Sequence, residues 1–392
     1  MKIDLLAPIE NSTFFADPKE MCTILIKQLE KETGSFENQK IVILEKYGHF
    51  TKALEEVFSG DIDSLKERTT VLALNSLTVK HLKDSGWNVE RKIDLPKCIE
   101  WLTSQEEKPE IFIANPPYQN VNRISGEGNH PAWSKFLREI ICKSDENKLI
   151  KENGYIVWTS PNSWRTPNKD NKLTKALLTD LRLTDLFTYF DTFFDTPVQR
   201  WGFIVQNKKP TKGSKINIWS ELDIENPSLT TKHGQSVLPN ELSTESIQQS
   251  EEFFTAESED VKRGGGQNHS DQKKKNWRKR KSGEFLHPVF NYGDEVSYWS
   301  RVDAKSDIGL SKVIFGRGGR NSLKITLDEE GKYAISEDGF YILIKNPAHQ
   351  KNLIDFLKSE DWKNYIESMR SGQWLPSSVA YNVPKQLEEE SN

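Results

Sequence analysis

The residues best suited to chemistry are Asn115-Pro116-Pro117-Tyr118, which follow directly on the apolar run Ile111-Phe112-Ile113-Ala114. An exocyclic amine on a heteroaromatic ring such as adenine is a poor nucleophile, because its lone pair is delocalised into the ring. Two acceptors set against its hydrogens favour a pyramidal nitrogen whose lone pair faces a methyl donor. Asn115 offers its side-chain carbonyl as one acceptor. Pro116 offers its backbone carbonyl as the other, and Pro117 biases Pro116 to an extended conformation, so this acceptor is rigid at no side-chain entropy cost. Tyr118 supplies a flat face for a base taken out of its stack, worth about 1 to 3 kcal/mol. A neutral amide orients the amine without titrating, so no catalytic histidine is required. The plainer reading is a tight turn after a strand, since Asn and Pro are turn residues. By average residue usage this tetrapeptide arises by chance about once in a thousand chains of this length.

Residues 1 to 210 alternate short β-type runs with helix-like stretches, which predicts an α/β domain with a Rossmann-like, mostly parallel sheet. Strands are expected at 41–44, 71–74, 111–114, 155–159 and 203–206, and helices at 18–33, 51–58, 77–85, 132–142 and 172–183. Open α/β sheets bind ligands at the carboxyl ends of their strands, which is where Asn115 to Tyr118 falls. Residues 211–284 read as a polar linker, with Gly264-Gly265-Gly266 followed by a basic run that composition assigns to a linker or mobile loop. A smaller C-terminal region, 285–392, contains Trp299, Trp362, Trp374 and a helix-like stretch from 350 to 369.

At 392 residues the chain exceeds the usual size of one core, and 35% apolar with 29% charged residues reads as soluble and globular. The net charge of −4 argues against a protein that coats nucleic acid along its whole length. The charge is uneven, however: residues 261–324 hold 15 Lys/Arg against 6 Asp/Glu. A polyanion would be held by that region. No apolar run approaches the roughly 18 residues of a membrane span and the start lacks a signal peptide, so a cytoplasmic protein is expected. Cys22, Cys98 and Cys142 lie far apart, which suggests neither a disulfide framework nor a metal site.

The tetrapeptide and its apolar strand resemble the adenine-N6 DNA methyltransferases of restriction-modification systems, in the permuted class whose cofactor motifs come first, catalytic motif next and target-recognition region last. The resemblance spans residues 11 to 210. It implies S-adenosylmethionine (SAM) as cofactor, DNA as partner, adenine as the flipped base, and a separate restriction endonuclease or specificity subunit as a further partner. Position by position, it assigns cofactor roles to Thr13, Phe14, Asp17 and Pro18, although Asp17 and Pro18 equally suit a helix start. Glu45 and Gly48 stand where the family has its glycine-rich SAM loop. Only one of the usual glycines remains, and Lys46, Tyr47 and His49 in that loop are expected to crowd the site. Asn75 stands where an acid would hold the ribose, and Asp94 matches the acid that accepts from the cofactor's adenine. Phe194 matches an aromatic that packs the other face of the flipped base. The segment 154–164 resembles the strand and loop beneath the target pocket.

The basic run Lys273, Lys274, Lys275, Arg278, Lys279, Arg280 and Lys281, with Trp277 inside it, suits a strap on phosphates beside such a core, since neutralising phosphates dominates nucleic-acid affinity. Arg317 and Arg320, spaced by glycines, are candidate base or phosphate contacts. Three alternatives stay open: a pseudoenzyme that keeps the base pocket but has lost SAM, a methyltransferase of RNA, and one of protein glutamine.

Overall fold

Apolar runs without a period, such as Ile41-Val42-Ile43-Leu44, fold as strands buried on both faces, and these form the centre of the molecule's larger sheet. The structure is a computed structural model that describes residues 19–92, 94–117, 132–142, 148–165, 172–190, 200–220, 227, 229–232, 238–239, 242–244, 246–248, 261–264, 277–290, 299–300, 306–316, 324–336, 339–369 and 383. The chain divides into two units, residues 1–164 with 171–235, and residues 165–170 with 236–392.

In chain order the first unit contains α1 (Lys19–Thr33), β1 (Ile41–Glu45), α2 (His49–Val57), α3 (Ile62–Glu67), β2 (Thr69–Ala73), α4 (Ser76–Asp84) and β3 (Asn88–Arg91). It continues with α5 (Leu95–Ser104), β4 (Ile111–Ala114), α6 (Ala132–Ile141), β5 (Tyr155–Pro161) and α7 (Lys172–Lys175), which runs on as a π turn to Asp180. The strands β6 (Arg182–Phe187), β7 (Arg200–Gln206), β8 (Lys215–Trp219) and β9 (Leu229–Lys232) complete it. The sheet order is β3-β2-β1-β4-β5-β7-β6-β8-β9. The five strands from β3 to β5 are parallel, and β7 is reversed against both of its neighbours. This is a Rossmann-like, mostly parallel sheet. Its order changes direction between β1 and β4, the point at which such sheets bind ligands. On one face α1 buries Met21, Cys22, Leu25, Ile26 and Leu29 against Ile43, Ile113, Val157 and Ile204. On the other face Phe136 of α6 stacks on Trp158 at 5.8 Å.

The first unit runs to residue 235, beyond the expected boundary at 210, because β8 from the expected linker pairs with β6 and β9 pairs with β8. The expected helix at 172–183 ends at Asp180. Leu181 turns extended, and 182–187 becomes β6, in which the buried Asp185 Oδ1 accepts from Gln28 Nε2 (2.9 Å), Trp219 Nε1 (3.0 Å) and Asn217 Nδ2 (3.2 Å). That polar centre joins α1 to the sheet and leaves no apolar alternation to read in the sequence.

The second unit holds β10 (Lys262–Arg263), β11 (Trp277–Arg278), β12 (His287–Phe290), β13 (Trp299–Ser300), β14 (Lys312–Gly316), β15 (Ile325–Asp328), β16 (Ala334–Ile335), β17 (Gly339–Leu343), α8 (Pro347–Leu357) and α9 (Glu360–Met369). They form two four-stranded sheets, β10-β17-β14-β15 and β11-β13-β12-β16. The helical stretch expected at 350–369 is two helices, because the Ser359 hydroxyl accepts from Trp362 N at 3.2 Å and starts a second helix. Trp362, Tyr365 and Ile366 pack with Val313, Phe340 and Leu353 in this unit's core. Beside it lies a fully buried ion pair, Lys312 Nζ to Asp328 Oδ2 at 3.1 Å. Asp328 also accepts from the N–H groups of Lys332 and Tyr333. Among the described residues, no helix is long and apolar enough to cross a membrane.

Candidate functional site

Asn115, Pro116 and Pro117 leave the carboxyl end of β4, Pro116 buried and its two neighbours half-buried. The Asn115 Oδ1 is shielded from solvent. Strand register sets the surroundings. Glu45 pairs with Ala73, Leu44 with Ala114, Ala114 with Trp158, Thr159 with Gly202, and Gly202 with Phe187. The ends of β2, β1, β4, β5, β7 and β6 therefore lie in one transverse row. Asn115 stands between the end of β1, which bears Glu45, and the end of β5, which bears Thr159. Tyr118 lies outside the described residues. So does Phe194.

Glu45 is 2% exposed, and its carboxylate oxygens accept from Phe50 N (2.6 Å) and Thr51 N (3.2 Å), so it caps the first turn of α2. Burial pushes its carboxyl up to about 7, against these two bonds. Gly48 precedes the helix at φ 89°, a left-handed conformation that favours glycine, and this is the one place in the loop that needs it. Lys46 Nζ lies 5.1 Å from the Tyr47 ring centroid, and the Tyr47 and His49 rings are 6.2 Å apart. His49 is drawn in, 8% exposed, as the first residue of α2. A helix N-terminus whose N–H groups are already filled by a carboxylate does not suit the pyrophosphate of a dinucleotide.

Asn75 and Asp94 are both helix N-caps. Asn75 Oδ1 accepts from Leu77 N at 2.9 Å and starts α4. Asp94 Oδ1 accepts from Lys97 N at 2.9 Å and, with a proline in the first turn, starts α5. Both follow strands that end in the same row, β2 and β3. Glu110 lies at the amino end of β4, the opposite edge, bound to Lys40 N (2.8 Å) and Lys151 Nζ (2.6 Å). Thr13, Phe14, Asp17 and Pro18 lie outside the described residues.

In the second unit, the segment that composition assigned to a linker or mobile loop contains β11, which pairs with β13. Arg278, Lys279, Arg280 and Lys281 are exposed at the end of this strand. The Arg278 guanidinium lies 4.3 Å from the Phe285 ring centroid and Lys281 Nζ 5.2 Å from that of Trp299, so two of the cations are held on aromatic faces. Lys273, Lys274, Lys275, Arg317, Arg320 and the Trp277 side chain lie outside the described residues.

The resemblance picks out the segment 154–164 as a whole and neither Thr159 nor Ser160 within it. Both are fully buried at the end of β5, and neither hydroxyl has a hydrogen-bond partner among the described residues. The available signal was a polar pair closing an otherwise apolar strand.

No family model matches the chain. Over 160 residues it is 29% identical to a protein of Methanocaldococcus jannaschii that carries the name of a putative type II restriction enzyme and methyltransferase. The match covers 39% of this chain and 12% of that protein, so the chain spans a small part of its relative's length. Among solved structures, it is similar to the type IIG restriction endonuclease BpuSI (13% identity, 96% of this chain and 60% of that one, TM-score 0.42). It is also similar to the type IIL restriction-modification enzyme MmeI in complex with DNA (11% identity, 93% and 64%, TM-score 0.45). A third is the methyltransferase subunit of a type I restriction-modification system from Streptococcus thermophilus (15% identity, 55% and 49%, TM-score 0.37).

Proposed function

We propose that the chain methylates an exocyclic amine of nucleic acid, adenine N6 in DNA, with SAM as methyl donor. The observation that carries this reading is the position of Asn115-Pro116-Pro117: it follows β4 beside β1, where the strand order changes direction. Asn115 Oδ1 and the Pro116 carbonyl accept the two amine hydrogens and turn the nitrogen lone pair toward the end of β1. Tyr118 and Phe194 sandwich the extruded base. Glu45 and Gly48 shape the loop at the cofactor's side, while Asn75 and Asp94 serve its ribose and adenine; Thr13, Phe14, Asp17 and Pro18 are assigned to the cofactor by the resemblance alone. Bound SAM supplies an electrophilic methyl group. The surplus amine proton leaves to water after transfer, so no side chain of the site has to titrate.

A nucleic acid is favoured over a glutamine side chain by the basic run from Lys273 to Lys281, with Arg317 and Arg320, in a second unit that a glutamine enzyme would not need. The names of the similar proteins, restriction enzymes and their methyltransferases, point the same way, and a nuclease or specificity subunit fits as a partner. The test is incubation with labelled SAM and a mixture of unmethylated DNA, RNA and protein, followed by identification of the labelled nucleoside or residue. N6-methyladenine in DNA is the expected product. Label in RNA or in glutamine would reassign the substrate. No label, with no rise in unfolding temperature on adding SAM, would leave a pseudoenzyme.

A further inference from the structure

Three consecutive residues at the carboxyl end of β5, Trp158, Thr159 and Ser160, each bury a polar side-chain atom that has no hydrogen-bond partner among the described residues. Leaving such an atom unsatisfied is costly, and buried polar groups are otherwise almost always paired. Strand alternation sorts the three. Trp158 and Ser160 share the face on which Phe136 stacks, while Thr159 shares the face of Val157, Ile113 and Ile43. Continuing the Ala114–Trp158 register by one residue sets Thr159 beside Asn115, about 4.8 Å away across the strands. On its other side Thr159 pairs with Gly202, whose missing Cβ makes room for the ring of Phe190. A hydroxyl thus stands between the amine-holding amide and an aromatic ring, fully buried and committed to no partner among the described residues.

We propose that the Thr159 hydroxyl is a specificity-determining contact of the Asn115 pocket, donating a hydrogen bond to the acceptor ring nitrogen next to the target amine. This rests on the amine-methylation reading above. The chemistry fits, because in adenine the N6 amine is flanked by the N1 lone pair, and a hydroxyl donor satisfies N1 while the two acceptors at Asn115 and Pro116 take the amine hydrogens. Hydrogen-bonding both groups makes the site reject rings that carry a C–H in place of the nitrogen. Ser160, on the opposite face, has no part in this contact.

The test uses the full chain with Thr159→Val, Thr159→Ser and Ser160→Ala, assayed on unmethylated DNA with labelled SAM. Valine keeps the shape and removes an unsatisfied hydroxyl, so Thr159→Val is expected to unfold at the same or a higher temperature while kcat/KM falls about tenfold, the worth of one such bond. Serine restores most of the activity, Ser160→Ala leaves it unchanged, and SAM binding is the same throughout. On a duplex carrying 1-deazaadenine at the methylated position, the wild type loses about as much as Thr159→Val does on adenine, and the variant loses little more. Full activity in Thr159→Val, additive losses on the deaza base, or a drop in stability that serine does not restore would each overturn the proposal. A wild-type chain that methylates no DNA would overturn the parent reading as well, and is told apart by the wild-type control.

Discussion

The ends of β1 and β5 lie in one row, with β4 between them, and they dispose of their polar atoms in opposite ways. At β1 the polar atoms are answered locally: both Glu45 oxygens accept from the first turn of α2, the Thr51 hydroxyl donates to Gly48 O at 2.9 Å, and Leu74 N donates to Glu45 O at 3.2 Å. At β5 three successive side chains keep buried polar atoms without partners among the described residues. The first arrangement stabilises the fold. The second leaves buried hydrogen-bonding capacity unsatisfied, and of its three groups only the Thr159 hydroxyl falls on the strand position beside Asn115. Substitutions at the self-satisfied end should therefore register in stability and its pH dependence, and a substitution of Thr159 in turnover.

The largest effect is expected where self-satisfaction is most complete, at the buried Lys312–Asp328 pair of the second unit. Lys312→Met strands a buried carboxylate and should cost about 3 to 5 kcal/mol in urea unfolding. A loss under about 1 kcal/mol would mean that buried satisfaction is a poor guide to stability in this chain.

Asn115→Ala should lower turnover by about a hundredfold or more, the scale set by removing one preorganised hydrogen-bonding group from a reacting centre, with unfolding temperature and SAM binding close to wild type. More than a tenth of wild-type turnover would break the assignment of β4 to the amine.

Glu45 gives a pH signature. Because its carboxyl sits near 7 in the folded chain against 4.5 ordinarily, the folded state keeps a proton that the unfolded state has lost across that window. The group's contribution is full below about 4.5 and is lost as pH rises through 7, on the order of 3 kcal/mol. Unfolding temperature should fall between about pH 4.5 and 7 and level off above, and Glu45→Gln should flatten that fall. An unchanged slope in the variant would remove Glu45 as its cause.

The smallest effect concerns the exposed cations. Changing Arg278, Lys279, Arg280 and Lys281 to Gln should reduce the salt dependence of DNA binding, by about 0.9 in the log–log slope for each phosphate that is no longer neutralised, and weaken specific and random duplex equally. A changed methylation site with the same slope would make this segment a reader of sequence.

Much of the first unit was legible because β1, β2, β4 and β5 are short apolar runs, and the location of Asn115 followed from the end of one of them. β3 was hidden because only Val89 of its four residues is buried, and β6 because its centre is the hydrogen-bonded Asp185. Asp94 and Asn75 looked like ligand groups; their capping bonds to Lys97 and Leu77 became visible only once α5 and α4 were in place. The pattern of satisfied and unsatisfied atoms could not be read from sequence. It depends on a register that brings together Glu45, Asn115 and Thr159, residues far apart along the chain.

Everything proposed for the site turns on a ligand crevice between the ends of β1 and β4, with the amine-holding residues on its β4 side. A crystal structure of the full chain with S-adenosylhomocysteine tests this most directly. The ligand is expected at the Glu45–Gly48 loop, within hydrogen-bond reach of Asn75 or Asp94, its sulfur turned toward Asn115. Density at any other edge of the sheet, or a loop at 45–49 that leaves no space for the ligand, would contradict it.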